Sequence, residues 1–332
     1  MSVLQALQRK NIENPTTSKP RVVAFDANGK RNAPPDILGT ELTIGSPRSA
    51  FDGQPNSSLG TALPDVETGL TAGAKPNADT LTRSARRPLP DCVSWTVDAE
   101  RVEPRLVAIT SPNSSYCEEY RSLRTHVLHK SQRQHLKSIV VASVNPSEGK
   151  SVTAVNLAWM LAQTDGVCAL IIDSDLRMPS LADYLGIETE KGLSDILTGD
   201  ANFKDTIVKL EPSGLYLLAG GAARPDVAEL ISGPKFAEIL AEAREMFDYV
   251  IIDAPPLAIF TDATVLINKA DGALLVVRAN RTKYGALDRI LEPLPKDRML
   301  GVILNQSEEV LDESHYNYGY YNYRRMAEDA AS

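Results

Sequence analysis

From about residue 105 to residue 305, short apolar runs alternate with longer amphipathic stretches. Six runs read as strands: Ser138–Val144, Val167–Asp173, Gly214–Leu218, Tyr249–Asp253, Gly272–Val277 and Gly301–Asn305. They are rich in Val, Ile and Leu and do not alternate with polar residues, which is the pattern of a parallel sheet covered on both faces. Helical spacing fills the gaps at Lys150–Gln163, Gly192–Leu197, Lys235–Met246, Asp262–Lys269 and Lys283–Leu291. Strand–helix–strand repetition predicts an α/β fold: a doubly wound, mostly parallel sheet with right-handed crossovers.

Residues 1–95 break the pattern. Prolines recur among Ser, Thr, Asn and Gly, and Phe25 and Phe51 are the only aromatics before Trp95. Such a segment buries too little apolar surface to offset the entropy of ordering it, so a mostly disordered leader is expected. Met1–Arg9 has a short amphipathic pattern that a frayed terminus explains equally simply. Residues 105–305 then form one domain, and 306–332 a flexible tail.

Composition narrows the function. A formal net charge of -8 argues against a nucleic-acid partner, which needs a clustered basic surface. No stretch approaches the roughly 18 apolar residues that would cross a bilayer. The three cysteines, Cys92, Cys117 and Cys168, lack metal-ligand spacing, and an odd number suits a reducing compartment. A cytoplasmic protein that reaches a membrane only through a partner or a surface helix is expected.

The chemistry concentrates at strand ends. Val144-Asn-Pro-Ser-Glu-Gly-Lys-Ser151 lies between a strand and a helix, where backbone N–H groups and the helix dipole favour a phosphate. Glu148, Gly149, Lys150, Ser151 and Val152 form the expected phosphate-binding turn. Lys150 is placed to reach β- and γ-phosphates and the Ser151 hydroxyl to coordinate Mg²⁺. The first glycine of GxxxxGK[ST] is absent, since Val144 stands there. Asp173 and Asp175 follow one strand and Asp253 another, and ligands of open α/β sheets bind beyond such ends. Asp173 and Asp175, two apart, face one side in extended chain and can share metal and acceptor roles, while Asp253 would hold Mg²⁺ through water. Any one of these acids alone would pass for a solvated loop residue; three beside a GKS loop point to an ATP–Mg²⁺ site. Arg177 is expected to pair with Asp173, Asp175 or phosphate, and Thr261 with Asp262 to cap the following helix.

Two further patterns remain. Glu118, Arg121 and Arg124, spaced by three, make one ridge on a helix, either a solvated face or a subunit contact. Tyr316, Tyr318, Tyr320, Tyr321 and Tyr323 crowd eight residues of the tail, separated by Asn and Gly. Without apolar neighbours they are not a core stripe. They suit a flexible segment that offers phenols to an active site, where each phosphate gained would add roughly -1.5 to -2 charges.

Taken together, the ExxRxxR ridge at Glu118/Arg121/Arg124, the loop Pro146–Ser151, Asp173/Asp175/Arg177, Asp253/Pro256 and the tyrosine cluster resemble the bacterial tyrosine kinases (BY-kinases). The likeness runs from about residue 105 to the C-terminus. It is similar above all to the cytoplasmic autokinases of exopolysaccharide and capsule operons. The resemblance implies a P-loop fold with a deviant phosphate loop and ATP-dependent autophosphorylation of the tail tyrosines in trans. It implies a ring homo-oligomer closed by the arginine ridge, and control of polymer export. A transmembrane polysaccharide co-polymerase would be the activator and a tyrosine phosphatase the counterpart. It also implies Asp175 as acceptor of the phenolic proton, with Asp173 in the metal shell. Many relatives have glycine where Ser147 stands. A rival reading is a positioning ATPase of the division or partition type, whose signature lysine is replaced here by Asn145. Another is a non-catalytic nucleotide-binding scaffold, which would have had no need to keep Lys150, Ser151 and every acid.

Overall fold

The computed structural model describes Val23–Phe25, Leu89 and residues 91–307. Nine strands, β1 (Val23–Phe25), β2 (Ser94–Thr96), β3 (Ser138–Ser143), β4 (Ala169–Asp173), β5 (Val208–Glu211), β6 (Leu215–Leu218), β7 (Tyr249–Asp253), β8 (Gly272–Arg278) and β9 (Met299–Asn305), form one sheet. Their order is β1-β9-β8-β3-β7-β4-β6-β5-β2. The six strands from β9 to β6 are all mutually parallel. β1 runs antiparallel to β9, β5 antiparallel to β6, and β2 parallel to β5.

The unbroken apolar runs follow from burial on both faces. Val140, Ile172, Ile252 and Leu275 pack against the helices Leu193–Thr198, Pro234–Met246 and Asp262–Lys269. Ile139, Ile171, Ile251 and Val276 pack on the opposite side, against the helices Ser115–Gln134 and Lys150–Ala162. Each such side chain, fully withdrawn from water, contributes roughly 1.5–3 kcal/mol. From β3 the chain crosses over β7 to β4, and from β7 it crosses β3 to β8 in the other direction. The crossovers therefore diverge around β3 and β7, and the crevice beyond their carboxyl ends is the natural ligand position.

Boundaries moved for local reasons. The expected strand at 214–218 begins at Leu215, because Gly214 takes φ +73° in the turn from β5. β9 extends back to Met299, β4 begins at Ala169, β3 ends at Ser143, and the helix expected from Gly192 starts at Leu193 with Gly192 as its N-cap. β2 and β5 were not foreseen; both are short, and β5 is only half-buried, so neither shows a long apolar run. Within the leader, Val23–Phe25 is an ordered edge strand, encoded by the brief run Val22-Val23-Ala24-Phe25. Met1–Arg9 and the tyrosines at 316–323 lie outside the described residues. Among the described residues, no helix is long and apolar enough to cross a membrane, and none of the three cysteines is in a disulfide.

Candidate nucleotide site

β3 delivers the chain into the loop that ends at Gly149, and the helix Lys150–Ala162 begins immediately. Gly149 is the N-cap at φ +94°, a conformation open to glycine and strained for other residues. Ser147 also takes a positive φ, +61°, at the position where a glycine would meet no strain. The loop is held by Glu148. Its carboxylate is buried and accepts from Asn145 N and Asn145 Nδ2, both at 2.9 Å, and from Thr282 Oγ1. The Glu148 side chain is therefore committed to the protein, which leaves its backbone for phosphate contact. Val152 likewise sends its side chain into the core. Asn145, at the position of the rival ATPases' signature lysine, is spent inside the loop.

Lys150 Nζ stands at the centre. It lies 2.9 Å from Asp175 Oδ2, 3.7 Å from Asp253 Oδ2, and donates to Ser151 Oγ at 2.9 Å. Burial pulls the ammonium pKa down, but Asp253 and Asp175 outweigh it and hold the group above the ordinary lysine value. Asp173 and Asp253 are register partners on neighbouring strands. Asp173 Oδ1 accepts from Asp175 N at 3.2 Å, and its Oδ2 accepts from Ser180 N at 2.8 Å and Leu181 N at 3.0 Å. Burial, then the charge of Asp253, push Asp173 up to about 7 despite those donors.

Asp253 is different. It is fully buried, and neither carboxylate oxygen has a hydrogen bond. Lys150 and Ser151 attract its charged form, though neither meets hydrogen-bond geometry with it, and burial raises its pKa to about 6. A buried carboxylate without a donor is costly unless something charged satisfies it. A hydrated Mg²⁺ fits that need, with the Ser151 hydroxyl beside it and one acceptor position of Asp173 still open. Among the described residues the acids form no closed cage of three protein ligands, and Mg²⁺ is usually held by one or two carboxylates together with substrate phosphates.

Two expectations need correcting. Arg177 pairs with neither Asp173 nor Asp175. Its Nε donates to Asp262 Oδ2 at 2.8 Å, its guanidinium lies 4.3 Å from the Phe260 ring centroid, and Nη1 reaches Pro225 O at 3.4 Å. Asp262 is fully buried in this pair, and Thr261, the N-cap of the helix Asp262–Lys269, makes no side-chain capping bond. A bidentate-capable guanidinium outcompetes a backbone amide for a buried carboxylate. Arg177 thereby ties the loops after β4, β6 and β7 together.

The arginine ridge lies on the helix Ser115–Gln134, capped by Ser114 through Cys117 N at 3.2 Å. Arg121 pairs with Glu118 and donates to Pro112 O at 2.7 Å, while Arg124 Nε is buried without a hydrogen-bond partner. Thr282 and Asn305, which touch the loop from the ends of β8 and β9, were not anticipated. The signal available for Asn305 was a polar residue closing a buried strand, the same signal that marked Asp173 and Asp253.

A family model described as an AAA domain matches residues 136–294. The tyrosine-protein kinase YwqD of Bacillus subtilis (strain 168) is 34% identical over 223 residues, 67% of this chain and 92% of YwqD. The tyrosine-protein kinase CpsD of Streptococcus agalactiae serotype III (strain NEM316) is 32% identical over 195 residues, 58% of this chain and 83% of CpsD. Among solved structures, the chimerical protein CapA2B2 superposes with a TM-score of 0.58 at 27% identity, covering 67% of this chain and 95% of that one.

Proposed function

This chain belongs to the family of bacterial tyrosine-protein kinases, and we propose that it transfers the terminal phosphoryl group of Mg-ATP to tyrosines, first to those of its own tail at 316–323. The observation that carries the proposal is the position of Lys150. The lysine follows a phosphate-type loop at a helix N-terminus and contacts carboxylates from two strand ends, Asp175 and Asp253.

Roles follow from the neighbours of each group. The loop backbone and Lys150 bind the phosphates. Ser151 and Asp253 would hold Mg²⁺, with Asp173 placed to hold one of its waters; the ion supplies neutralisation of phosphate charge. Asp173 also keeps the segment Asp175–Leu181 in place through its three backbone donors. As Lys150 turns to the phosphates, Asp175 loses its ion pair and becomes free to accept the tyrosine Oη proton. The phenolic oxygen then takes the phosphoryl group, and ADP leaves. A cavity of about 540 Å³ beside Asp173, lined by Pro179, Asp183 and Gly220 among others, offers room for an acceptor side chain.

The same reading includes a ring of copies in which the Glu118/Arg121/Arg124 face meets a neighbour and each tail enters the next subunit. A transmembrane polysaccharide co-polymerase acts as activator, a tyrosine phosphatase as counterpart, and capsule or exopolysaccharide export as the controlled process. The protein works in the cytoplasm, brought to the inner membrane by that partner. Incubation with Mg-ATP followed by phosphotyrosine mass spectrometry tests the core of the proposal. Lys150→Met should abolish incorporation in a chain that still folds, with a lowered melting temperature because Asp175 and Asp253 lose their cation; continued phosphorylation would remove Lys150 from the mechanism.

A further inference from the structure

We propose that Thr282 and Asn305 are positioning residues that hold the phosphate loop in its binding shape from outside it; this rests on the reading that the loop at 144–151 binds nucleotide. The loop lacks the usual first glycine, and Ser147 sits at φ +61°, which residues with a Cβ rarely adopt. A conformation of this kind persists only where the surroundings over-determine it. Two tethers do so here.

The first runs through the Glu148 carboxylate, only 3% exposed, which gathers Asn145 N and Nδ2 from within the loop and Thr282 Oγ1 from the turn after β8. Thr282 is itself fixed, since its hydroxyl also accepts from Arg278 N at 3.2 Å. The second is Asn305, 4% exposed at the end of β9. Its Nδ2 donates to Glu148 O at 2.9 Å, and its Oδ1 accepts from Gln306 N at 2.9 Å. A trans peptide is planar, so anchoring the Glu148 carbonyl to Asn305 fixes the Gly149 N–H on the opposite side. Asn305 thus sets the direction of one of the donors at the helix N-terminus. The fit is close: a Cβ on Gly149 would lie 2.1 Å from Asn305 Nδ2. The loop takes its shape from strands β8 and β9, which end beside it, in place of the missing glycine.

Calorimetric titration of the full chain with Mg-ADP tests this, because binding is read without phosphoryl transfer. Thr282→Val, nearly the same size but without a donor, and Asn305→Ala should each raise the Kd about tenfold, the effect of losing one buried hydrogen bond to a charged or carbonyl partner. Thr282→Ser restores the donor and should bind within about threefold of the parent, on the same scale. Unchanged Kd values in Thr282→Val and Asn305→Ala would overturn the inference alone and leave the nucleotide reading standing. So would losses that merely track melting temperature across every variant, Thr282→Ser included. A parent chain that binds no Mg-ADP would instead sink the nucleotide reading, and this inference with it.

Discussion

Replacing Asp253 by Asn should stabilise the protein at pH 8 while abolishing its chemistry. The carboxylate is fully buried, has no hydrogen bond on either oxygen, and has Lys150 Nζ no nearer than 3.7 Å. Burial lifts its pKa from 3.8 to about 6. Two units at about 1.4 kcal/mol each put the penalty for keeping it charged near ~3 kcal/mol. The sign follows from proton binding. A raised carboxylate pKa means the native state holds the proton more tightly than the unfolded chain, so the penalty is absent below about pH 4. It grows between about pH 4 and pH 6 and is constant above that range. Asparagine removes the charge at every pH but leaves amide hydrogens without a partner, at a cost of about 1 kcal/mol. The net gain at pH 8 is then ~2 kcal/mol, a rise of roughly 4–8 °C in melting temperature for a domain of this size. The gain should vanish or reverse slightly near pH 4.5. Thermal melts of both proteins without nucleotide or Mg²⁺, at the two pH values, measure it, and phosphotyrosine detection reports the lost activity. A variant that melts several degrees below the parent at pH 8 would refute the reasoning, because Lys150 would then stabilise the charge by more than burial penalises it.

Gly149→Ala would force a Cβ to within 2.1 Å of Asn305 Nδ2 at φ +94°; left-handed strain and a broken loop bond together should cost roughly 2–3 kcal/mol, read as a lower melting temperature and loss of Mg-ADP binding. Arg121→Ala with Arg124→Ala should reduce the oligomeric mass in light scattering, since the pair Arg121–Glu118 is partly exposed and worth little within one chain; an unchanged mass would return the ridge to a solvated face. Phe at positions 316, 318, 320, 321 and 323 together should remove most incorporated phosphate and leave Mg-ADP affinity within about twofold of the parent; mass spectrometry that finds phosphate mainly elsewhere would refute the tail as acceptor.

The six central strands were legible because burial on both faces removes polar residues from them, and that imprint survives in a bare sequence. The site's acids were legible for a related reason: an Asp that closes such a run, as Asp173 and Asp253 do, has no packing role to explain it. What stayed hidden was pairing across distant segments. Arg177 and Asp262 are 85 positions apart in the chain, and nothing local distinguishes that partnership from the nearer choices of Asp173 and Asp175. The outlying strands β1, β2 and β5, two of them edges and β5 next to one, were hidden for the opposite reason. They are three or four residues long, too short to leave a pattern, and in β2 and β5 little burial disciplines the composition. The tie between Thr282 and the already expected Glu148 was hidden because a hydrogen bond between a hydroxyl and a carboxylate leaves no spacing rule behind.

Four buried aspartates around this crevice share one side chain and differ in every neighbour, and the differences assign their work. Asp173 is surrounded by backbone donors, so its charge organises a loop. Asp262 faces a guanidinium, so its charge ties three loops together. Asp175 faces the one cation that phosphate binding would draw away, so its partnership is exchangeable. Only Asp253 keeps both oxygens without a donor, an arrangement that folding alone disfavours by several tenths to a few kcal/mol. A protein selected for stability alone would have filled that position with an apolar or paired residue. A carboxylate left open at the end of β7, beside Lys150 and Ser151, is what a binding site for a cation and its phosphate ligands demands.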